Sequence, residues 1–104
     1  MINAITIIKK KQGLTYEKFQ NYWKNEHAEI VTRSPLVGTY IQSHPVYNDE
    51  LTFEDTIDGI AEIWFEDTNA MRSLAVTKEY KDIQDDEKVF IDGSAVRLII
   101  AEDI

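Results

Sequence analysis

His27, His44 and Glu62 are the side chains whose types and positions suit proton transfer in this chain. His27 lies in the segment Tyr22-Trp23-Lys24-Asn25-Glu26-His27-Ala28, on the apolar stripe of an amphipathic helix. Imidazole is the one side chain whose unperturbed pKa lies near neutrality, so a half-buried copy beside aromatic rings can donate, accept or exchange protons at working pH. The same position also suits a hydrogen-bonded core histidine. His44 and Glu62 fall in strand-like segments that also hold Tyr40, Gln42 and Trp64. A carboxylate, imidazoles, an amide and large aromatic rings converging on one cavity would serve acid/base chemistry on a flat, oxygenated molecule. Glu62 equally suits a structural hydrogen bond to Gln42 or a tyrosine.

Those residues must be positioned by elements that the sequence marks out. Residues 2–9 are rich in β-branched side chains and stop at Gln12-Gly13, which predicts a strand ending in a turn. Thr15 suits a helix cap, and Tyr16, Phe19, Trp23, His27, Ile30 and Val31 recur at three- and four-residue steps until Ser34-Pro35 stops the helix. Residues 37–47 alternate as a second strand, with Tyr40, Gln42 and His44 on one face and Thr39, Ile41 and Ser43 on the other. Residues 48–58 read as a polar, solvated loop. Its five acids lack the spacing and central glycine of a calcium site.

Gly59 opens a third strand, with Ala61, Ile63 and Phe65 expected on the helix side and Glu62 and Trp64 turned away from it. Thr68 is expected to cap a helix through Val76, a second helical stretch runs from about Lys78 to Asp85, and Ser94 to Ala101 forms the last strand. The order strand, helix, strand, strand, helix, strand is the split β-α-β arrangement of a ferredoxin-like α+β domain with a four-stranded antiparallel sheet. Both helical connections cover one sheet face. The other face, expected to carry Tyr40, Ile60, Trp64 and part of the fourth strand, is more apolar than a monomer normally exposes, which points to a second copy as its cover.

At 104 residues, 43% hydrophobic and 29% charged, with no divisive linker or repeat, the chain reads as one domain over residues 1–104. The net charge of −8 argues against nucleic acid, since phosphate binding needs a basic face. Six of the eleven basic residues fall within residues 1–33, among them Lys9-Lys10-Lys11, which suits a solvated turn better than an anion site. The amino-terminal run is too short to span a bilayer and its apolar-then-basic order is the reverse of a secretory signal, so a cytoplasmic location is expected. There is no cysteine for a disulfide, thiol nucleophile or thiolate zinc site. No paired metal-ligand spacing accompanies His27, and no dinucleotide fingerprint or phosphate-binding glycine loop is present, so neither a metal nor a cofactor is expected.

The Tyr-Trp-x-x-x-His helix, the Tyr-Ile-Gln-Ser-His segment, the Ala-Glu-Ile-Trp-Phe strand and the later Phe-Ile-Asp together resemble the EthD family along essentially the whole chain. The resemblance implies a dimeric α+β barrel, two ferredoxin-like sheets packed face to face, with a ligand-sized cavity in each subunit. It also implies a function among cofactor-free isomerisation, cyclisation, dehydration or oxidation of small molecules, or binding without chemistry as an accessory to a catabolic oxidation system. His27 resembles the family's helix histidine. The resulting expectation is a homodimer that takes a small aromatic, lactone or polyketide-like molecule, with His27, His44 and Glu62 catalytic and Tyr22, Trp23, Tyr40, Gln42 and Trp64 lining the cavity.

Overall fold

A computed structural model of the chain describes residues 1–46 and 57–104. Four strands, β1 (Ile2–Ile8), β2 (Tyr40–Ser43), β3 (Gly59–Phe65) and β4 (Arg97–Glu102), form an antiparallel sheet in the order β2-β3-β1-β4. The helices are α1 (Tyr16–Asn21) and α2 (Ala28–Thr32), joined by a π-helical turn Tyr22–His27, then α3 (Thr68–Ala75) and α4 (Lys78–Phe90). A 3₁₀ turn, Gly93–Ala95, leads into β4. Most of the expected acidic loop lies outside the described residues.

Local chemistry sets the boundaries. Thr15 caps α1 by accepting from Lys18 N at 3.2 Å, and Thr77 caps α4 by accepting from Tyr80 N at 3.2 Å. Asp67, rather than Thr68, caps α3, taking the Ala70 N–H at 2.8 Å. Gly13 supplies the positive φ, 95°, that turns β1 toward α1. The second strand is shorter than its alternation predicts, and α4 runs on five residues past the expected end at Asp85. Ser94, expected to begin the last strand, belongs to the 3₁₀ turn.

The apolar stripe of α1 and the π turn packs on the sheet. Ile8, Phe19, Trp23, Phe90 and Ile91 form the buried cluster, with the Phe19 ring 5.8 Å from Trp23 and 5.7 Å from Phe90. Trp23 also presses onto the start of β3, where a Cβ on Gly59 would stand 2.4 Å from its Cζ3. Only a residue without a side chain lets the indole lie against the strand. Asp58, 2% exposed, joins the two central strands: it accepts from Lys10 N at 2.7 Å while its own N–H donates to Ile8 O. Of the basic run, Lys10 lies over the Tyr16 ring and Lys11 Nζ donates to Lys88 O.

The strand register decides which side chains can meet. Tyr40 pairs with Ile63 and Gln42 with Ala61, whereas Glu62 pairs with Ile41 on one side and Ile5 on the other. Directly paired residues share a sheet face. Tyr40, Gln42 and the parity of His44 therefore face the helices along with Ala61, Ile63 and Phe65, and Glu62 and Trp64 face away. The expectation that all five point into one cavity is overturned, because alternation orders residues within a strand but does not say which face each set takes.

Candidate functional site

A broad apolar cleft lies between the helix side of the sheet and the pair α3–α4. Its volume is about 630 Å³. The floor comprises Ala4, Thr6, Ile63, Phe65, Leu98 and Ile100; Met71, Leu74 and Ala75 come from α3; and Tyr80, Ile83, Gln84, Glu87 and Lys88 come from α4. None of the eight site residues expected from sequence lines it. The strand residues are diverted by the register just described, and the helix-one residues pack at the other end of the sheet.

Glu87 is the polar group that stands out. It falls four residues after Ile83 and three before Phe90, so helical spacing puts its carboxyl on the buried stripe of α4. No hydrogen bond holds that carboxyl among the described residues. Burial, and secondarily the negative charge of neighbouring Asp86, raise its pKa to about 7. The phenol of Tyr40 senses the Glu87 charge as well. Its pKa is raised, chiefly by burial, while hydrogen bonding from Gln42 and Trp23 pulls the other way.

His27 is buried at 5% exposure, with its Nδ1 2.7 Å from Asp86 Oδ2 and its ring 4.8 Å from that of Phe90. Tyr22 Oη donates a short hydrogen bond to the other oxygen of Asp86. Burial lowers the His27 pKa, and the hydrogen bond and charge of Asp86 only partly restore it. A neutral imidazole that donates from Nδ1 leaves Nε2 as the acceptor, the form a general base needs. Asp86 also keeps the Tyr22 hydroxyl protonated, with a pKa pushed up to about 12 principally by that hydrogen bond.

The remaining candidates form two further groups. Gln42 Nε2 donates to Trp23 O at 2.7 Å and to Tyr40 Oη at 2.8 Å, and Gln42 Oε1 lies 2.7 Å from His44 Nε2. The His44 ring stacks 4.2 Å from Trp23, and burial followed by the Lys24 charge lowers its pKa. His44 and Gln42 border an open depression with Gln20, Asn21 and Lys24, separate from the cleft. On the opposite sheet face Glu62 accepts from Asn3 Nδ2 at 2.9 Å, and Trp64 Nε1 donates to Asp103 at 3.1 Å. Among the described residues no cluster of His, Cys, Asp or Glu is arranged to hold a metal ion, and no helix is long and apolar enough to cross a membrane.

A helix expected to end at Asp85 leaves out Asp86 and Glu87. The sequence signal for Glu87 is a carboxylate at a stripe position between Ile83 and Phe90, as His27 is an imidazole on the stripe of the first helix.

The fold and cleft define a ferredoxin-like α+β domain with one covered and one open sheet face. The EthD domain family matches residues 11–94, and the chain belongs to that family. An EthD-family protein from Bacillus halodurans superposes with a TM-score of 0.82 at 18% identity, covering 100% of this chain and 99% of that one. A protein from Arabidopsis thaliana gives 0.77 at 16% identity, covering 100% and 96%. A dimeric ferredoxin-like protein of unknown function from Bacteroides fragilis gives 0.69 at 10% identity, covering 98% and 95%. No curated protein matches the sequence.

Proposed function

We propose that the protein is a homodimer that binds a hydrophobic, oxygenated small molecule in the cleft beneath α3 and α4, and carries out cofactor-independent acid/base chemistry on it, of isomerase, cyclase or dehydratase type. The observation that carries the reading is the cleft itself: about 630 Å³, mostly apolar walls, and one carboxyl without a hydrogen-bond partner among the described residues. A cavity of that size suits a molecule of a few fused rings or a short polyketide-like chain. Support for the homodimer comes from the open sheet face, where Ile41 and Ile99 are 43% and 59% exposed in the single chain, and from dimeric neighbours of the same fold.

Calorimetric titration with aromatic ketones, lactones and phenols tests the reading, with Ala4→Phe as the control that fills the floor. The reading requires micromolar to millimolar affinity, about 4 to 8 kcal/mol, lost in the filled variant. Binding that survives the filling overturns it.

A second reading, a holder without turnover, is favoured by the separation of His27, His44 and Glu62 from the cleft. If the protein is an enzyme that uses His27, His27→Gln lowers kcat at least about a hundredfold in a folded dimer. In a holder that binds in the cleft, the same substitution leaves affinity unchanged, because His27 does not line the cleft.

A further inference from the structure

We infer that Glu87 seats the ligand of this cleft by donating a hydrogen bond, as a neutral carboxylic acid, to the carbonyl oxygen of an uncharged and largely hydrophobic molecule. The inference rests on the cleft reading above and adds the ligand's recognised group. An isolated carboxyl on an apolar stripe is costly unless it finds a partner. Among the described residues Glu87 has none, whereas Asp86 beside it is satisfied by His27 and Tyr22. Glu87 lines the cleft, so a ligand there can meet the hydrogen-bonding capacity that the described residues leave unused.

The surroundings decide which protonation state the ligand meets. Beside Glu87 on α4 stand Asp86, Tyr80 and Lys88, and from β2 comes Tyr40. Lys88 Nζ lies 3.8 Å from Asp85, on the solvent side of the helix, and the Tyr40 oxygen already accepts from Gln42. The portions of β1, β3, α3 and β4 that line the cleft add only Thr6 as a polar group. With apolar walls and the Asp86 charge next to it, the carboxyl has a pKa of about 7 and is largely neutral at about pH 6. A neutral acid favours an acceptor oxygen and disfavours an anionic ligand, which would bury a second negative charge beside Asp86. A carbonyl on a flat apolar body fits both the walls and the donor.

Calorimetry with acetylnaphthalene, and with ethylnaphthalene as the matched compound lacking the oxygen, tests the inference across pH. The ketone should bind more tightly than the hydrocarbon at about pH 6 and lose about tenfold in affinity by about pH 8.5, as the carboxyl ionises. Glu87→Gln keeps a donor at every pH, so the ketone should bind with a flat profile. Glu87→Met should reduce ketone affinity to that of ethylnaphthalene. Equal affinities for the two compounds at low pH, or the same pH slope in Glu87→Gln as in the parent, would overturn the role of Glu87. Ala4→Phe, or Ala75→Leu should the first fail to fold, separates the two levels. Ketone binding that persists in the filled cleft, or failure of both compounds to bind the parent, overturns the cleft reading itself and the Glu87 role with it.

Discussion

His27 and Asp86 meet at 2.7 Å across 59 residues of sequence, and the same carboxylate takes the hydroxyl of Tyr22. Tyr22 and His27 are the two ends of the π turn. In a regular α-helix residues five apart point about 0.4 of a turn away from each other; the wider winding of the π turn brings both to one acceptor on α4. Local backbone geometry and a long-range contact thus specify each other.

Asp86→Ala should cost about 2 to 4 kcal/mol of folding stability, because it leaves the buried His27 and the half-buried Tyr22 without their acceptor. Tyr22→Phe and His27→Gln should each cost less, and their effects should not add to that of Asp86→Ala, since they remove the same interaction. Urea unfolding of the three single variants and the pairs checks this; strict additivity would mean that the three groups do not act as a unit.

Stability should respond to pH through two groups of opposite sign. The Glu87 pKa rises on folding from 4.5 to about 7, so the folded state holds the extra proton between those values. Its contribution is complete below pH 4.5 and is lost as pH rises through 7, an effect of about 3 kcal/mol. The His27 pKa falls on folding, so its contribution is complete above its ordinary value of 6.5 and is lost as pH drops toward the folded value. Between pH 4.5 and 7 the unfolding midpoint should therefore fall less with rising pH in Glu87→Gln, and below pH 6.5 it should fall less with falling pH in His27→Gln. A slope between pH 4.5 and 7 that is unchanged in Glu87→Gln would place the titration elsewhere.

The homodimer proposed above predicts that the face bearing Ile99 and Trp64, where Glu62 already accepts a hydrogen bond from Asn3, tolerates no further, unpartnered charge. Ile99→Glu, at a site 59% exposed in the single chain, should leave an isolated subunit folded but break the assembly, because a carboxylate would be buried without a partner. Sedimentation at micromolar concentration reads the outcome. A parent protein already sedimenting near 12.1 kDa would remove the basis for the dimer.

Gly59→Ala should destabilise by about 1 to 3 kcal/mol, since the added methyl would stand 2.4 Å from Trp23 Cζ3 and 2.5 Å from Cη2 and force the indole off the strand. Thermal unfolding and the near-ultraviolet circular dichroism of Trp23 report the shift. A neutral substitution would mean that the indole is not held by this contact.

Much of the architecture is set by short-range pattern. The β-branched run of β1, the Thr15 cap, the Phe19–Trp23–His27 stripe and the alternation of β3 each follow from residues within a few positions of one another, and together they dictate the split β-α-β order. The site was less legible. Alternation put Tyr40, Gln42 and His44 on one side of β2, but the pairing of Tyr40 with Ile63 decided that this side is the helix side, and a shift of one residue would have reversed it. Likewise Glu87 looks like one acid in a polar helix until α4 packs against the sheet, and Asp86 acquires its meaning only when His27 and Tyr22 arrive from the far end of the chain. Periodicity is a property of neighbours in sequence; burial, electrostatic environment and hydrogen-bond partners belong to groups brought together by folding.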